Sequence, residues 1–310
     1  DQAGIDILSQ VAQVDQKLGL TSDELKGIIG EYDALMIRSG TQVTSDVIQV
    51  ASKLRIIGRA GVGVDNVDVP SATQRGVLVV NSPGGNTIAA AEHSLALLLA
   101  LSRHIPQAHA SIISGGWDRK KYVGNELYKK VLGVVGLGKI GSHVAKVANA
   151  MGMEVIAYDP FISADRAQQM QVRLISVEEL FGTSDYITLH LPRTVDTENL
   201  VNASLLASMK PTARLVNCAR GGIIDELALA DAVRSGVIAG AALDVYATEP
   251  LAVASPLRSV NEHLILTPHL GASTEEAQEN VAIDVAEQIR DVLLGLPARS
   301  AVNIPGLNAE

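Results

Sequence analysis

The chain has 310 residues, 47% of them apolar and 19% charged, which suits a folded protein of about two domains and excludes a disordered one. Aromatic residues make up only 3%, so Ala, Val, Ile and Leu must build the core, a recipe for buried parallel strands covered by helices. A net charge of −9 argues against general nucleic-acid binding, and the single cysteine, Cys218, excludes an internal disulfide framework and a cysteine-built zinc site.

Ala34–Arg38, Leu54–Ile57 and Val77–Val80 are short apolar runs that read as strands, with a helix from Ser45 to Ala51. Ala12–Asp15 is a further candidate strand. From Ile88 to Ile105 an Ala- and Leu-rich stretch, interrupted by Glu92, His93 and Ser94, predicts one long buried helix capped by Thr87. Its longest apolar run, Leu95 to Leu101, is far short of the roughly 20 residues that cross a bilayer, so no membrane span is expected.

A second alternation follows. Val131–Val135, Glu154–Tyr158, Tyr186–Leu189, Ala213–Val216, Gly240–Leu243 and Leu264–Leu266 read as strands, with a helix from Ile140 to Met151. The last helix, near Thr274 to Leu294, has an apolar face through Val281, Val285, Ile289 and Val292. Two alternating sets without a linker predict an α/β protein of two doubly wound domains, with functional loops at the carboxyl ends of the strands.

Gly136-Leu-Gly138-Lys-Ile-Gly141 stands between a strand and a helix. Such a pattern is weak alone, but the next strand ends at Asp159, 18 residues beyond Gly141 and near the expected interval of about 20. Gly136 permits a tight turn, Gly138 lets backbone approach a pyrophosphate, and Gly141 lets helix and strand pack closely. Asp159 would accept from ribose hydroxyls and repel a 2′-phosphate, so NAD is expected over NADP. A methyltransferase with a similar loop is the competing reading.

Arg220, Glu249 and His269 each follow an apolar strand of the second set. Singly they read as turn or surface residues. Together behind a nucleotide loop they supply a guanidinium, a carboxylate and an imidazole, the set needed to oxidise a hydroxy acid.

The chain resembles the D-2-hydroxyacid dehydrogenases over nearly its whole length. The resemblance rests on the glycine loop and on the strings Gly58–Asp68, Asn81–Thr87, Asn217–Gly222 and Pro268–Thr274. It implies a Rossmann NAD-binding domain, residues 88–271, inserted into a flavodoxin-like substrate domain of residues 1–87 and 272–310, the two enclosing a cleft. His269 would be the general acid/base, Glu249 would orient its ring, and Arg220 would bind the substrate carboxylate and polarise the C2 oxygen. Asp244 would contact the nicotinamide carboxamide, and Lys139 and Ile140 would offer backbone to the pyrophosphate. Cys218, Ala219 and Arg220, with His269, Leu270, Gly271 and Ala272, would line the cofactor site. Cys218 is expected to pack there and not to react.

For the substrate, the resemblance implies that Gly61, Val62 and Gly63 hold a carboxylate. It places Arg38, Ser39, Asn86 and Gln278 at a phosphate end, with Arg59 nearby. Two arginines on different loops suit a phosphate, so a phosphorylated 2-hydroxy acid is expected, although solvated strand-end charges would explain them too. Hydroxypyruvate, glyoxylate or D-lactate is the alternative within the family, and an NAD-sensing corepressor is the alternative outside catalysis. His93, His104, His109 and His143 read as structural, His190 shows no recognisable partner, and no metal is expected. Arg119–Lys121 reads as a solvated loop, or as a reach towards a neighbouring subunit's phosphate.

A homodimer or higher homo-oligomer is expected through the long apolar helix. The expected location is the cytoplasm, or the plastid stroma after removal of a transit peptide. The opening at Asp1 without methionine suggests a processed or trimmed product. The strand that usually opens the substrate domain is missing, and Ala301–Gly306 matches the end of the family's catalytic core.

Overall fold

The structure, a computed structural model, describes residues 1–260 and 263–304. The end of the expected substrate domain, Pro305 to Glu310, lies outside the described residues. The chain divides into two compact units, Asp1–Asn86 with Ala272–Glu310, and Thr87–Gly271.

The first unit opens with helices α1 (Gln2–Leu8) and α2 (Ser22–Ile28) and then alternates: β1 (Ala34–Ile37), α3 (Ser45–Val50), β2 (Ile56–Arg59), α4 (Val69–Gln74) and β3 (Leu78–Asn81). Its helices start where side chains accept the free amides of the first turn. Thr21 and Glu24 form a reciprocal capping box on α2, and Asp68 caps α4. The three strands are parallel in the order β1-β2-β3. The expected strand at Ala12–Asp15 is not one: Val14 is apolar but its neighbours are polar, and the segment runs as irregular chain with Val14 packed on a core cluster.

The second unit runs α5 (Thr87–Arg103), α6 (Ile105–Ile113), β4 (Val131–Val135), α7 (Lys139–Ala150), β5 (Glu154–Tyr158), α8 (Ala164–Gln169) and β6 (Arg173–Leu174). It continues through α9 (Val177–Thr183), β7 (Tyr186–Leu189), α10 (Ala203–Ala207), β8 (Arg214–Asn217), α11 (Glu226–Arg234), β9 (Gly240–Leu243) and β10 (Leu264–Leu266). The seven strands lie in the order β10-β9-β8-β7-β4-β5-β6, every pair parallel. Strand order reverses between β4 and β7, the switch point at which open α/β sheets bind ligands.

Alternation along the strands sends side chains to two cores. Leu132, Val134, Val155, Ala157 and Val216 pack with Leu98, Leu101 and Val144 of α5 and α7. Val135, Ile156, Leu215 and Leu243 pack on the other face with Leu180, Leu206 and Leu229 of α9, α10 and α11. With both faces covered, the strands read as continuous apolar runs. The long helix expected at 88–105 is α5, which ends at Arg103, and a second helix, α6, follows it. His104 adopts a left-handed φ of 53°, and Pro106 sits in the first turn of α6, where its missing N–H costs nothing.

The last helix, α12 (Glu275–Leu293), returns the chain to the first unit and covers the β2 face. Gly58 makes the close approach possible, since a Cβ there would lie 2.5 Å from Val285 Cγ1 and 2.7 Å from Ile289 Cδ1.

Candidate active site

In the second unit the loop after β4 turns at Gly136, whose φ of 97° is strained for any residue with a Cβ. A Cβ on Gly141 would collide with the Gly136 carbonyl oxygen, so glycine is what lets α7 start tight against the turn. A Cβ on Gly138 would meet no atom within 4 Å. The space facing this residue is therefore open, and Gly138, as the N-cap of α7, offers no side chain to the first-turn amides of Lys139, Ile140 and Gly141. An open cradle of amides at the positive end of a twelve-residue helix fits a pyrophosphate.

Asp159, just past the end of β5, is fixed by two backbone donors. The Leu137 amide gives a hydrogen bond of 2.7 Å to Oδ2, and the Phe161 amide gives one of 2.9 Å to Oδ1. Each oxygen keeps a second acceptor position, so the carboxylate is aimed and still able to accept from a ribose.

The carboxyl ends of β8, β9 and β10 carry the reactive groups. After β8, Asn217 accepts from the Ala219 amide and donates to the Arg220 carbonyl, both at 3.0 Å, which folds the Cys218–Arg220 turn. The Arg220 guanidinium donates to the Ala219 carbonyl at 2.7 Å. Burial pushes the Cys218 thiol up to about 12, which makes it a packing group with almost no thiolate at neutral pH.

After β9, Glu249 receives the Tyr246 amide on Oε1 at 3.0 Å and stands 2.7 Å from His269 Nδ1 through Oε2. A carboxylate only accepts, so the proton of this bond lies on Nδ1, and Nε2 is left to exchange a proton elsewhere. The imidazole is 48% exposed at its side chain, so its outer edge is accessible. His269 itself holds a left-handed φ of 55°, a conformation that costs a non-glycine residue about 1–2 kcal/mol and that its surroundings must enforce.

They do so through Asp244, which is fully buried. Its Oδ1 accepts from Thr267 Oγ1 at 2.5 Å and from the Leu270 amide at 2.8 Å, and its Oδ2 accepts from the Gly271 amide at 2.8 Å. Burial by itself would raise this carboxyl, but the hydrogen bonds from His93, Thr267, Leu270 and Gly271 outweigh it and hold it below the usual range. The expected contact with a carboxamide is left with the second acceptor position on Oδ2. Ala272, expected beside Leu270 and Gly271 on the cofactor, falls in the first unit.

Within the first unit, the β1–β2 register pairs Ile37 with Arg59, so Arg38 and Arg59 leave at the same carboxyl edge. Arg38 reaches Gln278 of α12, with Nη1 donating to Oε1 at 3.2 Å, which brings two predicted phosphate-end residues together. Ser39 follows on the exposed loop. The Arg59 guanidinium lies against Gly61, where a Cβ would collide with it. The Gly61–Gly63 loop is braced from the end of β3: Asn81 donates to the Val62 carbonyl at 2.6 Å, and the Ser82 amide to the Gly61 carbonyl at 3.0 Å. Asn86 Oδ1 is buried without a hydrogen-bond partner, an acceptor in want of a donor.

Residue patterns did not point to Asn217, Tyr246 and Thr267 as supports, nor to His93, which read as structural. The one signal for His93 was its place in a polar break in an otherwise apolar helix. Among the described residues, no group of three His, Cys, Asp or Glu side chains is placed to hold a metal ion, and no helix is long and apolar enough to cross a membrane.

A phosphate cradle at the switch point and a histidine–carboxylate pair at the carboxyl edge of the same sheet are the equipment of a pyridine-nucleotide oxidoreductase. The model of the D-isomer specific 2-hydroxyacid dehydrogenase NAD binding domain matches residues 95–271, and the chain belongs to that family. It is 65% identical over 310 residues to a D-3-phosphoglycerate dehydrogenase of Synechocystis, covering all of this chain and 56% of the relative. It is 50% identical over 295 residues to a D-3-phosphoglycerate dehydrogenase of Archaeoglobus fulgidus, covering 95% and 56%. The chain thus spans a little over half the length of these curated relatives. A crystal structure of a Thermus thermophilus protein superposes with a TM-score of 0.89 at 33% identity, over 97% of this chain and 96% of that one.

Proposed function

We propose that the chain oxidises D-3-phosphoglycerate to 3-phosphooxypyruvate with NAD, the reaction that opens a phosphorylated route to serine. The observation that carries this reading is the Glu249–His269 pair, 2.7 Å apart, at the carboxyl edge that also bears Arg220. The names of the relatives supply the substrate. The contact of Arg38 with Gln278, next to Arg59 at one strand edge, is what a phosphate end would use.

When bound, NAD supplies the acceptor for the hydride that leaves C2 of the hydroxy acid. Gly136, Gly138, Lys139, Ile140 and Gly141 would hold its pyrophosphate and Asp159 its ribose. The rest falls to side chains of this chain. Neutral His269 takes the hydroxyl proton on Nε2, and Glu249, bonded to Nδ1, holds the ring in the tautomer and orientation this needs. Arg220 holds the substrate carboxylate and withdraws charge from the C2 oxygen, and its fixed donor fork suits both tasks. Gly61, Val62 and Gly63 share the carboxylate in this reading, and Arg38, Ser39, Arg59, Asn86 and Gln278 take the phosphate.

The test is NADH consumption with 3-phosphooxypyruvate and, in parallel, with hydroxypyruvate. We expect kcat/KM at least tenfold higher for the phosphorylated compound, and a loss confined to it in Arg38→Ala. Equal rates would leave a dehydrogenase and discard the phosphate end. No turnover of either, with a tight NADH-dependent protein partner, would favour a corepressor.

We further propose a homodimer, in a reducing compartment such as cytoplasm or plastid stroma that suits a lone thiol. Every residue of α6 is at least partly exposed, with Ile112 at 51% and Ile113 at 75%, and Trp117 just beyond it at 77%. An apolar surface of that extent asks for a cover. Sedimentation should give twice the 32.6 kDa chain mass; a monomer at micromolar concentration would sink the dimer.

A further inference from the structure

The support of His269 has a member that the reaction as described does not use. His93, on α5, places Nε2 3.1 Å from Asp244 Oδ1 and 3.3 Å from Thr267 Oγ1. Asp244 can only accept, so the proton between them lies on His93 Nε2. Thr267 Oγ1 already gives its own proton to Asp244 and is free to accept as well.

Asp244 holds the two amides that directly follow His269, those of Leu270 and Gly271. The His269 ring is tethered to Glu249, while its strained main chain is tethered to Asp244. A buried carboxylate is an expensive post unless its lone pairs are filled and its charge is answered. Two titratable groups near it, Cys218 and Tyr246, carry no charge that answers it. Burial, reinforced by the Asp244 charge, pushes both the Cys218 thiol and the Tyr246 phenol up to about 12, so both stay neutral. His93 can supply a donor and, when protonated, a full charge.

We propose that His93 is a positioning residue for this site. By donating to Asp244 and Thr267 it fixes Asp244 in place, and through the Leu270 and Gly271 amides it fixes the backbone that presents His269. The carboxylate that receives His93 also receives the loop that carries His269, so this support runs through one side chain. The inference rests on the reading of His269 as the acid/base, and it makes α5 part of the reacting apparatus and not just a packing helix.

The test compares His93→Ala and His93→Gln with the parent chain. By analogy with outer-shell partners of metal ligands, whose loss costs roughly 10–100-fold, we expect His93→Ala to lower kcat by about that factor while KM for the hydroxy acid stays within about threefold. His93→Gln, whose amide can still donate, should recover most of kcat. His93→Asn, polar but shorter, replaces the alanine variant if that one does not fold, and it should behave as alanine does. A kcat within twofold of the parent in His93→Ala, or a glutamine variant as impaired as the alanine one, would overturn the proposal.

A second readout needs no substrate. The 15N imidazole resonances of His269, identified by their loss in His269→Ala, should move in His93→Ala and return in His93→Gln. Should the parent chain turn over neither keto acid, the proposed function fails, and this spectrum still decides the role of His93: resonances that stay where they were overturn it.

Discussion

Arg220 depends on a close approach of main chain to main chain. A Cβ on Gly221 would collide with the Tyr246 carbonyl oxygen and lie 2.7 Å from the Ala247 amide. The loop after β8 and the loop after β9 therefore touch through backbone, where nothing can rotate out of the way. Gly221→Ala should cost about 1–3 kcal/mol of stability, the usual range for overpacking. It should also lower kcat/KM more than tenfold, because Arg220 and the Tyr246 amide that holds Glu249 move together. Urea unfolding and steady-state kinetics on one preparation would check both, and full activity in the variant would show that the loops adjust independently. At this scale the structure brings together Glu249 and His269, which the sequence grouped with Arg220 because each of the three follows an apolar strand. The Asp244–His93 pair was not legible, because its members are about 150 residues apart and a histidine in an apolar helix looks like packing.

Elements were legible where one pattern decides them. The strands of both sheets are buried on two faces, so they stand out as short apolar runs, and β4, β5, β7, β9 and β10 lie where the runs were read. The end of α5 was read two residues late, and α6 beyond it was not read. Pro106 marks a first turn, but Ile105 continues the apolar run and hides the boundary. The two-residue β6 and the short helices α8 and α10 carry too few positions for a period to show. Which sheet α12 covers is also invisible locally. Its apolar face at Val281, Val285 and Ile289 was readable, but its partner, the β2 face opened by Gly58, is set by chain return over more than 200 residues.

The molecule as a whole carries nine net negative charges at neutral pH, and its response to acid follows from groups buried in the second unit. Burial pushes His190 down to about 4, where it packs beside the glycine loop with Nε2 3.0 Å from Thr188 Oγ1. His104 is lowered too, first by burial and then by the charges of Arg214 and His263. For a histidine lowered on folding, the two states bind protons equally above about 6.5. Below that the unfolded chain takes a proton that the folded one refuses, so stability falls as pH drops towards 4. His190 alone should contribute about 2 kcal/mol to this loss between pH 7 and pH 5.

Asp185 and Asp244 act on a lower window. In both, burial is outweighed by hydrogen bonds that lower the folded value, so their contribution is intact above about pH 4 and disappears as pH falls through those values. The two windows separate the causes. Urea unfolding followed by circular dichroism at pH 7, 6 and 5 should show the parent chain weakening steadily, with His190→Asn weakening by about 2 kcal/mol less over that range. Parallel lines for the two proteins would mean that His190 takes its proton in the folded state as readily as in the unfolded one. The acid sensitivity of the fold would then have to lie with His104 and the carboxylates.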